Sequence, residues 1–99
     1  MKMVFIVHVE YSARKVAEIF KAVDIDYYTS WDEVKGKGHG TDPHLGKGGF
    51  PSTNSVVMVA FEEDAPLERL IAAITAANAE ISRPADRIRL FQMPLDRIV

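Results

Sequence analysis

The sequence predicts an α+β domain in which four strands and two helices follow one another in the order βαββαβ. Three observations carry that reading. Four short runs rich in β-branched and aromatic residues fall at 1–10, 27–34, 55–62 and 87–93. Two segments with helical periodicity separate the first run from the second and the third from the fourth. All 6 glycines are confined to the stretch between the second and third runs, at positions 36, 38, 40, 46, 48 and 49. A chain of 99 residues has room for one such domain, spanning 1–99.

The first strand carries Val4, Phe5, Ile6, Val7 and Val9, with formal charge only near its ends. Ser12 is placed to cap the helix that follows, where Val16, Ile19, Phe20 and Val23 recur on one face and Arg14, Lys15, Glu18 and Lys21 on the other. Asp24 to Asp26 break that pattern, and Tyr27 to Val34 reads as the second strand. A long loop of about 35–54 comes next, because so many glycines, joined by Pro43 and Pro51, oppose any regular element. Val56, Val57, Met58, Val59, Ala60 and Phe61 make the third strand. Asp64 and Pro66 open the second helix, whose stripe is Leu67, Leu70, Ile71 and Ile74 up to Ala79. Arg83 and Pro84 stop it, and Arg87 to Met93 forms the fourth strand. With both helices as crossovers, the order is that of the ferredoxin-like split motif, four antiparallel strands with the helices on one face.

Helices on one face leave the other bare, and that face should be polar in a monomer. The first and third strands are apolar on both sides, which predicts a homo-oligomer in which copies of the chain cover the bare face. The alternative is a monomer whose long loop folds back over the sheet.

Composition narrows the function. With 47% hydrophobic and 26% charged residues the chain is an ordinary globular one, and a net charge of −2 gives no global field for nucleic acid. The absence of cysteine excludes disulfides, thiolate metal sites and thiol nucleophiles. No apolar run approaches the roughly 20 residues of a membrane helix, no signal-peptide pattern opens the chain, and a cytoplasmic location is expected. There is no G-x-S-x-G elbow and no H-E-x-x-H pair, so the chain is read as a non-enzyme. Glu62, Glu63 and Asp64 suit the positive end of the second helix better than acid/base catalysis. His8, inside a strand, reads as a buried or interface histidine.

The loop holds the chemistry. Lys35, Lys37 and Lys47 lie among glycines whose amides can face an anion, although the spacing matches neither a Walker motif nor a dinucleotide fingerprint. His39, Asp42 and His44 form a second candidate, a set of imidazole and carboxylate ligands for a divalent transition metal.

Glu33-Val34-Lys35-Gly36-Lys37-Gly38, a long loop closing with Phe50-Pro51, then a hydrophobic strand and an acidic turn resemble the PII signal-transduction (nitrogen regulatory) proteins, as a divergent member of the PII-like superfamily. The resemblance implies a trimer of ferredoxin-like subunits, with an adenine nucleotide (ATP, ADP or AMP-type) in clefts between subunits and a flexible T-loop that engages a partner enzyme or membrane transporter. It implies nucleotide contacts from Ser30, Gly36, Lys37, Gly38, Arg83 and Arg87. The chain departs from the family pattern at several positions. Asp32 stands where a hydroxyl residue is usual, Arg83-Pro84-Ala85-Asp86-Arg87 replaces a glycine-rich turn ending in lysine, Gly40 replaces a magnesium-holding glutamine, and Ser52 replaces a lysine. No tyrosine lies between Lys35 and Ser55, so tyrosyl uridylylation of the loop is excluded. A metal-sensing relative tied to metal efflux or homeostasis, using His39, Asp42 and His44, fits the same residues.

Overall fold

The computed structural model describes residues 1–40, 43–46 and 52–99. The elements are β1 (Lys2–Val9), α1 (Ala13–Ala22), β2 (Thr29–Val34), β3 (Asn54–Phe61), α2 (Asp64–Ala79) and β4 (Arg89–Pro94), with 3₁₀ turns at Glu10–Ser12 and Pro84–Asp86. They form one antiparallel sheet in the order β2-β3-β1-β4, the arrangement the βαββαβ sequence predicts.

The core lies between the helices and one face of the sheet. Val4 and Ile6 of β1 and Val57, Val59 and Phe61 of β3 are buried against Val16, Ile19 and Phe20 of α1 and Leu67, Leu70 and Ile74 of α2. The opposite face is also apolar, as the sequence implied. There Phe5 stands between Met58 and Phe91, Met3 between Ala60 and Met93, and Val7 between Val56 and Arg89, with Trp31 across from Val56. Trp31 and Phe91 are 46% and 52% exposed.

Element boundaries differ from expectation where tertiary contacts compete. β2 starts at Thr29 rather than Tyr27 because the two tyrosines pack edge-on elsewhere, Tyr27 against Phe61 with centroids 6.0 Å apart and Tyr28 against Phe20 at 5.5 Å. Ser12 makes no side-chain cap. The 3₁₀ turn runs straight into α1, and the Ala13 amide already donates to the Glu10 carbonyl. Glu63, not Asp64, is the N-cap of α2, also without a side-chain bond, and Asp64 contributes its charge from the first turn. β4 starts at Arg89 rather than Arg87, since Asn78 near the end of α2 holds Ile88. Its Nδ2 donates to the Ile88 carbonyl at 2.7 Å and its Oδ1 accepts from the Ile88 amide at 2.8 Å.

That amide pair fixes the segment leading into β4. Asn78→Ala removes both bonds and leaves the Ile88 backbone groups in need of partners, so the variant is expected to lose about 2–3 kcal/mol of stability in urea unfolding.

Candidate functional site

The base of the long loop is built by local backbone geometry. The β2–β3 register shifts between Trp31 and Val34, and within that irregularity Glu33 has φ of 58°, a left-handed conformation that glutamate seldom adopts. Two residues past the end of β2 the chain pairs again. Gly36 and His44 form an antiparallel bridge, their amides donating to each other's carbonyls at 2.9 and 2.7 Å. Farther along, the Gly46 amide donates to Ser52 at 3.0 Å. The exit is pinned by Thr53, whose hydroxyl donates to Glu10 Oε2 and whose carbonyl accepts from the Glu10 amide, both at 2.9 Å. Gly36 lies so close to Asn54 that a Cβ there would collide with its carboxamide nitrogen.

Beside this base is a cleft of about 280 Å³. One wall is Gly36, Lys37, Gly38 and His44 of the loop, and the other is Pro84, Ala85, Arg87 and Arg89. Val7, Phe91 and the edge of Asn54 line it between them, with His8 and Val9. Three cationic side chains and a glycine backbone suit phosphate or another oxyanion, and Val7 and Phe91 suit a planar or apolar body. Arg87 donates through Nε to the Ile81 carbonyl at 3.4 Å, a long bond that anchors its stem and leaves the terminal nitrogens available. Lys37 is exposed, with Nζ 3.5 Å from its neighbour's carbonyl at Gly38.

The sequence candidates thus divide. Gly36, Lys37, Gly38 and Arg87 come together at this cleft. Ser30 does not join them and lines a second cleft of about 460 Å³ on the helix-covered side of the sheet. Arg83 lines neither of these clefts, and its Nε stands 3.8 Å from Asp86 Oδ2. The proposed metal ligands are not seen as a set. His39 is exposed in a turn, His44 is 6% exposed in the anion-type cleft, and Asp42 and Lys47 lie outside the described residues. Among the described residues no three metal-ligating side chains are gathered. Sequence reasoning missed Val7, Asn54, Arg89 and Phe91. The alternation Arg87, Arg89, Phe91 was a usable signal, since alternate residues of a strand share a face.

No protein-family model matches the sequence, and no curated protein matches it significantly. Solved structures do match. CPII of Thiomonas intermedia K12, bound to ADP and bicarbonate, superposes with a TM-score of 0.67 at 14% identity, over 97% of this chain and 88% of that one. CPII from the same organism, a nitrogen regulatory PII-like protein bound to ADP, AMP and bicarbonate, gives a TM-score of 0.66 at 11% identity, over 99% of this chain and 94% of that one. The chain therefore shares the ferredoxin-like fold of these two structures over nearly its whole length.

Gly36→Ala tests the loop base. The added methyl must displace Asn54, so the variant is expected to lose about 1–3 kcal/mol of stability and to speed amide exchange at His44. At Gly40, with φ of 70° and nothing within 4 Å of a built Cβ, alanine meets only backbone strain, and a loss of about 1 kcal/mol with unchanged exchange at His44 is expected.

Proposed function

We propose that this chain is a non-enzymatic PII-like regulator that binds an adenine nucleotide in the cleft beside the loop base and signals through the loop to a partner enzyme or transporter. One observation carries the reading: the fold brings Lys37, Arg87, Arg89 and the Gly36–Gly38 backbone around a partly apolar cleft. It does so on the fold of proteins that hold ADP and AMP. Phosphates meet the cations and amides, and the base lies toward Val7 and Phe91. Magnesium and 2-oxoglutarate are not needed for this reading, since Gly40 and Ser52 stand in place of the glutamine and lysine that the resemblance would call on to serve them.

In this reading the bare apolar face is buried by two further copies of the chain, giving a trimer. The cleft then lies at a seam between copies, and Arg83, which stands outside it within one chain, meets the nucleotide from the adjoining copy, while Ser30 stays with the larger cleft. Signalling is a population shift. A nucleotide that contacts Lys37 and Gly38 in one loop arrangement more strongly than in others selects that arrangement for the partner. Among the described residues no helix is long and apolar enough to cross a membrane, so a transporter partner would be met by docking rather than by insertion.

Calorimetric titration with ADP, ATP, AMP and cyclic AMP, each with and without bicarbonate, tests the proposal. At least one nucleotide is expected to bind, and Arg87→Ala to weaken it about tenfold, or 1.4 kcal/mol. No binding by any of them at millimolar concentration, with the oligomer intact, overturns it. Sedimentation should find a particle three times the 11.0 kDa chain, and Phe91→Lys, which puts a charge on the bare face, should dissociate it without unfolding the subunit.

A further inference from the structure

We propose that the larger cleft, on the helix-covered side of the sheet, is a second ligand site, built for an organic cation: a protonated amine or amidine on a partly apolar body. The cleft measures about 460 Å³, within the range of small-molecule sites. Val16 and Phe20 of α1 form its apolar wall, and Ile25 and Tyr28 continue it. The edge-on contact of Tyr28 with Phe20, at 5.5 Å, sets the aromatic ring at the entrance.

Its floor departs from the pattern of the rest of that face. Along β1 and β3 the helix-facing positions are Val4, Ile6, Val57, Val59 and Phe61, all in the core. The next positions in the same rows are His8 and Ser55, directly paired across the strands, and Ser55 Oγ donates to Asp32 Oδ1 of β2 at 3.0 Å. His8 and Ser55, 4% and 5% exposed, are buried polar groups whose desolvation apolar residues would avoid, and exposed Asp32 continues their row at the sheet edge. Such a row marks a surface meant to meet something other than core.

The hydrogen-bond chemistry of that row selects the ligand. Ser55 spends its only proton on Asp32. His8, 4% exposed, has Nδ1 2.9 Å from the Val9 carbonyl. A carbonyl only accepts, so Nδ1 is the donor of this bond, and the tautomer that makes it keeps a lone pair at Nε2. No other bond of that ring joins it to the described residues. The floor therefore offers the second oxygen of Asp32, the lone pairs of Ser55 and Nε2 of His8, all acceptors. At the rim Asp24 and Asp26 outnumber Lys21. A ligand that satisfies this surface must bring donors and positive charge, with an apolar part for Val16 and Phe20 and a ring face at Tyr28 for the cation. An anion suits the smaller cleft, with its lysine and two arginines, and is unsuited to this one.

Benzamidine is a suitable probe, with benzamide as its near-isosteric neutral control and benzoate as the anionic one. In ¹H–¹⁵N spectra of the full chain, benzamidine is expected to shift amides of Val16, Phe20, Tyr28, Asp32 and Ser55, while benzamide binds at least about tenfold more weakly and benzoate leaves these amides unmoved. Asp32→Asn should weaken benzamidine about tenfold with spectral dispersion kept. ADP titrated into the same variant should bind as in the parent, which separates this site from the nucleotide cleft. The proposal is overturned if benzamidine at millimolar concentration shifts none of these amides, if benzamide or benzoate does as well, or if folded Asp32→Asn binds it unchanged. The comparison of the three probes on the parent chain decides the matter should the variant fail to fold.

Discussion

Two helices can cover only one face of a four-stranded sheet, and here both faces are apolar. The covered face closes the core with Val4, Ile6, Val59, Phe61, Leu67 and Leu70, none more than 1% exposed. The other presents Phe5, Val7, Met58, Trp31 and Phe91 in cross-strand rows. Burial of such a surface stabilises by roughly 25 cal/mol per Å² of apolar area removed from water, so the driving force for covering it is large. Arg89 sits at the end of this face, opposite Val7, and also lines the smaller cleft. The apolar face and the cationic cleft are thus contiguous. Whatever covers the one forms a border of the other, which is why assembly and ligand binding belong together in the proposed mechanism.

The loop base is the second fixed point. A loop with glycines at 36, 38 and 40 has little conformational preference of its own. Its ends are nevertheless held by the Gly36–His44 bridge and by the Glu10–Thr53 pair of bonds. Glu33 at positive φ turns the end of β2 into that bridge. Strain of this kind costs on the order of 1–3 kcal/mol and persists where the surroundings over-determine it. A clamped base with a glycine-rich stretch beyond it places Lys37 and Gly38 on one wall of the smaller cleft, so in the proposed mechanism a bound anion touches the loop directly and its binding energy selects among loop arrangements.

The sequence made the fold legible because its signals were redundant: two apolar helical stripes, four β-branched runs, and glycines gathered in one place. It also showed that β1 and β3 are apolar on both sides, but not which side the helices take. That depends on Val4 and Ile6 being in register with Val59 and Val57, a long-range fact. The E-V-K-G-K-G string located half of the smaller cleft. The other half was harder. Arg89 and Phe91 become neighbours of Gly36 only through the sheet order β2-β3-β1-β4, which brings β4 beside β1. The metal reading drew on sequence proximity of His39 and His44, yet the bridge to Gly36 carries His44 into a buried position while His39 stays exposed.

His8 gives the clearest case of a residue whose meaning depends on structure. In sequence it is one polar letter in an apolar strand, and a satisfied or interface histidine was the expectation. It is buried, and one nitrogen is satisfied, but it lines both clefts. On one side stand Lys37, Arg87 and Arg89, on the other Asp24, Asp26 and Asp32. A net charge of −2 conceals this division, because opposite local fields cancel in the sum. Selectivity for charged ligands is set over a few ångströms by which side chains converge, since the attraction between charges falls with distance and is screened over about 10 Å in salt. The sheet separates the chain's charges into two pockets of opposite character with one imidazole between them. Neither the composition nor the spacing of residues along the chain contains that arrangement.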